Sequence, residues 1–596
     1  MVSFLSLFLS LLLILFPKEK EYKTLDYYDF YPLIFTSFSL AQFLLGGVSL
    51  FIISINFAQF PIIFISLFVF ILTLIYQKKC FKKYLQIWDF IKSEKNFFIQ
   101  KSLKSNFSKI INILILLFIT LIIFSSIGPI NHPDAASYHV GFPFQFFKKG
   151  GFFVDGSYQQ GLLGIGDFAN LSFIQENNIW LIRFVQVINL PIIILFLSRK
   201  VASNIFLLAF ITTPVFVMWS TIGKPLFLGE SCLIIVYLIW KNNKTEYNFR
   251  QLVLLIISAI AFKISSLIIV FTLFIDILFI FKDNKVRNEH LYYLKKIITN
   301  KIFILSALVF FSLFLNRYIV TNNFAYPLLN ELFNADDKLL IQVSEFLRNY
   351  KRDNLFPLNI FFGTSKSDLV SLGPAIFLII VSIYFKDIKR LFQSNKNDVF
   401  FVGTLQLILL IAFAQGRADY YLSPLILFLT QTNEIKNFLK KNKLRILFKI
   451  SLFVQSFILL AYLSFSIFQN INLIFSYEKN MKKFAYGYNV SKTFNSNYPG
   501  KTLYTGRNTR LYFSRDYLDI DLMNKCIEKN KFNNSKNIQQ TCLNKYQVNQ
   551  IISSPDYLKE KDDFKCQNIT FLVGSRNPLN KNFRKQLYCV RKKIID

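Results

Sequence analysis

The sequence has few acidic residues, few histidines and few cysteines. Its 596 residues include 35 Asp and Glu against 68 Lys and Arg, three His and six Cys. The cysteines form no C-x-x-C pair, so their spacing does not indicate a zinc site. No clear internal repeat and no nucleic-acid-binding motif accompany the net charge of +33, and a nucleic-acid partner is therefore not expected.

Apolar residues are abundant and are concentrated in blocks. The chain is 53% hydrophobic, with 71 Phe, and its longest blocks approach the length needed to cross the roughly 30 Å hydrocarbon core of a bilayer. Residues 3–16 are read as a membrane helix rather than a signal peptide, since no basic region precedes them and no A-x-A site follows. The sequence predicts an all-α polytopic membrane bundle of about 14 helices, at 3–16, 32–54, 57–76, 110–127, 179–197, 204–219, 226–240, 251–262, 264–281, 302–320, 372–385, 399–414, 418–431 and 447–468.

The basic residues predict how the bundle is oriented. Residues 77–109 follow the first three membrane helices (1–76) and are rich in Lys, which favours a cytoplasmic loop, because cytoplasmic loops collect Lys and Arg. Counting forward through the membrane core (110–469) places two long loops, 128–178 and 321–371, on the outer side. This parity requires residues 251–281 to form two helices that meet near Lys263, since both flanks of that run are basic.

Residues 470–596 are polar and of mixed composition, and they follow the last apolar segment. The same parity predicts that they form an extracytoplasmic α/β domain, on the periplasmic side of an inner membrane. The segment contains four cysteines, which is compatible with two disulfides in an oxidising compartment and allows three pairings. The local pairs Cys526–Cys542 and Cys566–Cys589 are the preferred pairing.

The first outer loop begins with GPINHPDAASYHVGFPFQFFKKGGFFVDG at residues 128–156. Asp134 lies a few residues beyond the membrane boundary, and the aromatic-rich segment after it suits a helix in the membrane interface. Such a helix would hold Asp134 at the mouth of the bundle, and Asp134 is also a candidate helix N-cap after Pro133; the two interpretations can hold together. The residue pattern leaves both interpretations open.

The order of these features resembles the GT-C class of membrane glycosyltransferases, in particular the bacterial members that use polyprenyl-phosphate sugars. In those enzymes, too, a helix is followed by a short loop with Asp, a Tyr-His pair and an amphipathic helix. Three further stretches are similar to the class: SAIAFKISSLIIVF at 258–271, NRYIVTNNFAYPLLN at 316–330 and QGRADYYLSPLILFL at 415–429. The resemblance covers about residues 110–470. It implies direct transfer of a sugar, with inversion, from a polyprenyl-phosphate donor to a glycan, lipid or protein acceptor outside the cytoplasm.

The resemblance and the chemistry together suggest roles for individual residues. Cations near the lipid headgroup would stabilise the leaving phosphate; Arg417 could bind it with two hydrogen bonds, and Lys263 and Arg317 lie on the same side by parity. Asp134 is the predicted catalytic base. A divalent metal is a candidate cofactor, because carboxylate and imidazole side chains could bind one; the acceptor or metal candidates are His132, His139 and Glu230, although each histidine is also compatible with a plain loop hydrogen bond.

Two other functions fit a protein of this class. A transporter or flippase of lipid-linked glycans would carry charged residues at mid-membrane depth and repeated halves. A non-catalytic envelope scaffold would use residues 470–596 to bind partners.

Overall fold

The fold is given by a computed structural model. The residues that it describes are 1–16, 27–76, 80–102, 106–130, 132, 134–154, 157–201, 203–239, 246–280, 284–333, 337–349, 356–362, 371–381, 399–413, 417–429, 442–484, 488, 491–492, 495, 502–504, 511, 517–530, 538–548, 550–553, 564–572 and 585–593.

Helices account for nearly all of the described secondary structure before residue 502. The first set, up to the end of the first predicted outer loop, consists of α1 (Val2–Leu15), α2 (Tyr27–Ser54), α3 (Ile62–Tyr76), α4 (Cys80–Ser102), α5 (Asn106–Ser126), a π-helical turn (Ala135–His139), α6 (Gly141–Lys149), α7 (Tyr158–Gly161), α8 (Ile165–Phe168) and α9 (Asn170–Gln175). The second set consists of a 3₁₀ turn (Ile179–Leu181), α10 (Ile182–Val187), α11 (Leu190–Lys200), α12 (Asn204–Ile211), α13 (Pro214–Thr221), α14 (Leu226–Ile239), α15 (Glu246–Phe262), α16 (Ser266–Ile280), α17 (Asn284–Ile298) and α18 (Lys301–Thr321). The third set consists of α19 (Asn330–Phe333), α20 (Lys338–Asn349), α21 (Asn359–Phe362), α22 (Val399–Phe413), a 3₁₀ turn (Ala418–Tyr421), α23 (Leu422–Leu429), α24 (Asn442–Phe475) and α25 (Tyr477–Phe484).

The lengths of these helices fit a polytopic membrane protein. Five described spans are long and apolar enough to cross a membrane: 29–54, 108–126, 179–200, 301–321 and 444–475. The pair α12–α13 makes a sixth if it is counted as one span bent by 56°. Pro214 begins α13, and a proline cannot continue the hydrogen-bond ladder of the preceding helix, which accounts for the break. The helical membrane class is confirmed, and the larger count of about 14 crossings stays a prediction.

The run 251–281 is divided where the charge argument required. Helix α15 ends at Phe262 and α16 begins at Ser266, so Lys263 lies in the connection between two helices rather than inside one. A lysine in the middle of a continuous apolar helix would have to leave water. The break instead places Lys263 at one end of the bundle.

Contacts between the segments that connect the helices fall at two ends of the bundle. At one end, Glu94 of α4 forms an ion pair with Arg199, and Arg199 Nε donates to Glu94 Oε2 at 2.8 Å. The described residues of the predicted cytoplasmic loop 77–109 are helical and belong to α4 and the start of α5. At the other end, the backbone N–H of Phe152 donates to Ile53 at 3.0 Å, and the amino group of Met1 pairs with Glu176. Residues of the predicted outer segment 128–178 therefore contact the end of α2 and the start of α1.

A small sheet lies in the C-terminal segment. Its strands are β1 (Thr502–Tyr504), β2 (Tyr517–Asp519), β3 (Gln550–Ser553), β4 (Phe564–Leu572) and β5 (Lys585–Lys593), in the spatial order β2-β1-β3-β5-β4. Strands β1, β2 and β3 are parallel, and β5 is antiparallel to both β3 and β4. Helices α26 (Ile520–Asn530) and α27 (Ile538–Lys545) lie between β2 and β3 in the chain.

Candidate functional site: a charged cavity at one end of the bundle

A cavity of about 520 Å³ opens at the end of the bundle that carries the predicted outer loops. Its volume is in the range of small-molecule sites, about 300–1,000 Å³. The two long loops, the α15–α16 break and the turn before α23 all contribute to its wall. Segments far apart in the chain thus meet at one place.

Four cations line this cavity: Lys224, Lys263, Arg317 and Arg417. The last three are the phosphate-binding candidates predicted from the sequence, and the fold brings all of them to one cavity. Lys224 was missed by the sequence reasoning, because it follows a short apolar helix and resembles an ordinary flanking lysine. The signal that could have found it is parity, which places the 220–225 loop on the same side as the other three.

Two of these cations share one buried carboxylate. Arg417 donates through Nε to Asp419 Oδ1 at 2.9 Å and through Nη2 to Asp419 Oδ2 at 3.1 Å, and Lys263 Nζ lies 3.7 Å from the same Oδ2. Lys263 also donates to Glu230 at 3.2 Å. Burial would raise the pKa of Asp419, but the charges of Arg417 and Lys263 outweigh it and hold that pKa below its usual value. The two-pronged face of Arg417 that was predicted for phosphate is therefore occupied by Asp419.

Asp134 lies beside the cavity, where it forms an ion pair with Lys224. Burial alone would raise the pKa of the Asp134 carboxyl, but the charges of Lys224 and His132 outweigh this and hold its pKa well below the usual range. The largest influence on Lys224 is burial, which lowers the pKa of its amino group. Asp134 precedes the π-helical turn, and its side chain makes no capping hydrogen bond there. Its partner is thus a cation rather than the helix end that the N-cap interpretation assumed.

Arg317 has a different environment from the other cations. Its side chain is 3% exposed, and among the described residues no carboxylate lies within ion-pair distance of it. Nη2 donates to the carbonyl oxygen of Leu163 at 3.3 Å, while Nε and Nη1 are buried without a hydrogen-bond partner in the described part of the chain. Asp167 attracts this guanidinium at longer range. A buried guanidinium with two unused donors is a strong candidate to bind an anion.

The position of Arg317 is set by the ends of α18. Asn300 caps the start of this helix by accepting a hydrogen bond from Ile302 N at 2.9 Å. The helix ends at Asn322, which is left-handed with φ 54°. Asn323 then donates to Leu328 O and Asn330 Oδ1, both at 2.7 Å. The segment that contributes residues 327–332 to the cavity wall therefore follows the end of the helix that carries Arg317.

His139 lines the cavity together with Asp167, and the two form a close pair. His139 Nδ1 lies 2.7 Å from Asp167 Oδ1. Asp167 is almost fully buried, and the sequence reasoning did not single it out, because nothing near Gly164–Phe168 marks it as functional.

The remaining metal candidates are not gathered into a metal site. His132 Nδ1 accepts from the backbone N–H of Asp134 at 3.3 Å, and Glu230 is the ion-pair partner of Lys263. Within the described residues, no group of three or more His, Cys, Asp or Glu is close enough to hold an ion. These residues instead act as partners for the cavity cations or for the backbone.

The described cysteines of the C-terminal segment are bonded to each other. Cys526 of α26 and Cys542 of α27 form a disulfide between adjacent helices. Cys566 and Cys589 lie on the paired strands β4 and β5, in register with Arg591 and Asn568 respectively, and their side chains are outside the described part. Asp521 accepts a hydrogen bond from Tyr158 N at 3.3 Å, and Lys525 pairs with Asp337 at 3.2 Å, so this segment lies at the cavity end of the bundle.

A comparison with known proteins finds no matching family model and no matching curated protein. The class of protein is therefore defined by fold and site alone: a helical protein with several spans long enough to cross a membrane, and with a cation-rich cavity at one end.

Proposed function

We propose that this protein is an integral-membrane glycosyltransferase of the GT-C class, which moves a sugar from a polyprenyl-phosphate donor to an acceptor outside the cytoplasm. The observation that carries the proposal is Arg317, a buried guanidinium in the cavity wall with two unused donors among the described residues. Taking such a charge out of water costs roughly several kcal/mol even after the protein relaxes, unless a counterion compensates for it. A phosphate that enters the cavity would supply the missing counterion.

The other three cations of the cavity are partly neutralised by carboxylates of the protein, so each contributes less than Arg317 to the attraction of an anion. Lys224, Lys263 and Arg417 already pair with carboxylates, which keeps them in place and leaves Arg317 as the strongest attraction. Helix α16 begins at Ser266, beside the cavity residues Ile264 and Ser265. The positive end of its macrodipole therefore adds to the field at the site.

Part of the cavity wall is apolar and exposed. Leu328, Leu329 and Leu332 line the cavity, and they are 38%, 55% and 73% exposed. We call these three residues the apolar lip. A donor with an anionic head and an isoprenoid tail would place its phosphate at Arg317 and its tail against the lip. A water-soluble nucleotide sugar would gain nothing from the lip, which supports a lipid-linked donor.

The sidedness of the site supports an extracytoplasmic reaction. The cavity lies at the end of the bundle opposite the Glu94–Arg199 pair, and the basic loop 77–109 favours the cytoplasm for that pair. We propose that the cavity opens on the outer side of an inner membrane and that residues 470–596 form an extracytoplasmic α/β domain beside it. The Cys526–Cys542 disulfide supports this placement, because disulfides persist in oxidising compartments.

The test is performed with full-length protein in lipid nanodiscs. Native mass spectrometry would measure binding of undecaprenyl phosphate. Nanodiscs without added lipid phosphate are the blank, and polyprenyl alcohols without the phosphate are the matched control. We expect the phosphorylated lipid to bind and the free alcohol to bind far more weakly. A panel of polyprenyl-phosphate hexoses and pentoses, incubated with lipid and glycan extracts, would then reveal transfer.

The outcomes separate the alternatives. Binding of the lipid phosphate with sugar transfer supports the proposal. Binding with movement of intact lipid-linked glycan across the bilayer, but without transfer, would indicate a flippase instead. Equal binding of the alcohol and the phosphate would contradict a phosphate site at Arg317.

A further inference from the structure

The pair formed by His139 and Asp167 is held rigidly in the cavity wall. Asp167 Oδ1 lies 2.7 Å from His139 Nδ1, and Asp167 Oδ2 accepts the backbone N–H of Gly164 at 2.8 Å. This second bond is an N-terminal cap of α8, so the carboxylate cannot rotate without releasing the helix end. The side chain of Asp167 is only 2% exposed, so the protein rather than solvent surrounds it.

The imidazole is fixed from its own side as well. His139 is the last residue of the π-helical turn, and its carbonyl oxygen accepts a hydrogen bond from Asn170 Nδ2 at 2.9 Å. The ring of Tyr138 lies beside it, with 4.0 Å between ring centroids. Backbone and ring are therefore both held before any substrate arrives.

This arrangement selects one tautomer of the histidine. An ionised carboxylate can only accept hydrogen bonds, so the proton of a neutral imidazole is assigned to Nδ1, facing Asp167. Nε2 then carries a lone pair, and His139 is among the residues that line the cavity. A histidine whose Nδ1 is bound to a carboxylate is the usual arrangement of a general base.

We propose that His139 is the catalytic base that activates the acceptor hydroxyl, and that Asp167 is its positioning residue. This inference rests on the proposed glycosyl transfer and replaces Asp134 in the role of base. In the reaction, the acceptor oxygen forms a bond to the anomeric carbon while the bond from that carbon to the phosphate oxygen breaks. The acceptor proton passes to His139 Nε2, and the lipid phosphate leaves with the electron pair of the broken bond. Asp167 stabilises the imidazolium that results.

Asp134 is less suited to this task. It forms an ion pair with Lys224, and the neighbouring positive charges hold its pKa well below the usual range. A group with so little affinity for a proton is a weak base, since the most effective catalytic bases have a pKa near the working pH. Asp134 keeps Lys224 in place instead.

The charged and titratable groups around the imidazole come from several elements. Asp134 and Tyr138 flank it in the chain, Asp167 faces it from α8, Arg317 lines the same cavity from α18, and Lys224 and Arg417 complete the wall. Because several groups surround the imidazole, the pH profile of the wild type alone does not identify the base. The profiles of single variants are therefore measured beside it.

The test measures release of farnesyl phosphate from farnesyl-phosphate sugars by full-length protein in nanodiscs, from pH 5 to pH 9, with acceptor extracts present. We expect the wild-type rate to fall on the acid side, because a base that already carries a proton cannot accept one from the hydroxyl. His139→Gln should lose about 10²–10⁴-fold in rate, the usual contribution of a general base, and should lose the acid limb. Asp167→Asn should also lose rate and alter the acid limb, because an amide can donate to Nδ1 and reverse the tautomer. Asp134→Asn should retain the acid limb.

Binding of undecaprenyl phosphate separates this inference from the proposed function. His139→Gln and Asp167→Asn should bind the lipid phosphate as the wild type does, which would also show that they fold. Two results would overturn the assignment of His139 as base and Asp167 as its positioning residue, while leaving glycosyl transfer intact. One is a rate for His139→Gln within threefold of the wild-type rate. The other is an acid limb that disappears in Asp134→Asn and persists in His139→Gln. No release by the wild type with any donor would overturn both.

Discussion

Replacing Arg317 with Met should weaken ligand binding and, at the same time, stabilise the empty protein. The guanidinium is buried, has two donors without partners among the described residues, and is not neutralised by a carboxylate within ion-pair distance. Hydrogen bonds to charged groups contribute about 1.5–3 kcal/mol each. Loss of about 3 kcal/mol on removing a two-pronged contact corresponds to roughly 100-fold weaker binding of the lipid phosphate.

The effect on the empty protein has the opposite sign. Methionine has a similar length and is apolar, so the cost of burying an uncompensated charge disappears, while one hydrogen bond, from Nη2 to Leu163 O, is lost. Replacement of buried ionic groups by apolar ones of similar volume has stabilised proteins by about 1–4 kcal/mol, and a rise in melting temperature is the expected result. A site that is unstable when empty and is completed by its ligand is a recurrent cost of function.

Arg183 provides a matched control. It is also an arginine inside the bundle and is fully buried, but it donates to Thr221 O at 3.1 Å and to Asn470 Oδ1 at 3.3 Å. Arg183→Met should therefore lower the melting temperature, since it leaves buried acceptors without their donor. The measurements are thermal unfolding in nanodiscs without ligand, and titration with undecaprenyl phosphate. If Arg317→Met lowers the melting temperature as Arg183→Met does and leaves binding unchanged, Arg317 is a structural residue and the reasoning is refuted.

Three other predictions follow from the fold. Reporter fusions after residues 95, 290 and 440 should be cytoplasmic, and fusions after residues 160, 345 and 500 should be external; a cytoplasmic reporter at 500 would contradict the sidedness. Protein from native membranes should contain the Cys526–Cys542 disulfide, detected by peptide mass with and without reduction, and free thiols at both positions would be evidence against export. A double-mutant cycle with Asp134→Asn and Lys224→Met, measured by thermal unfolding at pH 7, should give a coupling of about 0.5–3 kcal/mol, typical of contacting residues. Additive effects would mean that the ion pair contributes little, as many partly exposed pairs do; the Asp134 side chain is 39% exposed.

The sequence was sufficient for the class of fold. Apolar blocks of membrane length have few alternatives to a helix, because backbone polar groups in hydrocarbon must be satisfied within the segment. Both flanks of the run 251–281 are basic, and that pattern required the break near Lys263 that is found between α15 and α16. Parity also placed Lys263, Arg317 and Arg417 on one side, and all three line one cavity.

The tertiary structure decided which of these residues is available for an anion. Arg417 and Arg317 are equivalent in the sequence as outer arginines near helix ends, but Asp419 binds the first, and no described carboxylate forms an ion pair with the second. Pairing depends on contacts between segments that are distant in the chain. The same is true of His139 and Asp167, which are 28 positions apart and become a dyad only where the π-helical turn packs against α8. Hydrophobic periodicity and charge bias report the environment that each segment prefers, whereas hydrogen-bond partners are fixed by packing. This is why the candidate base, and the cation that no described carboxylate pairs with, could be identified only in the folded protein.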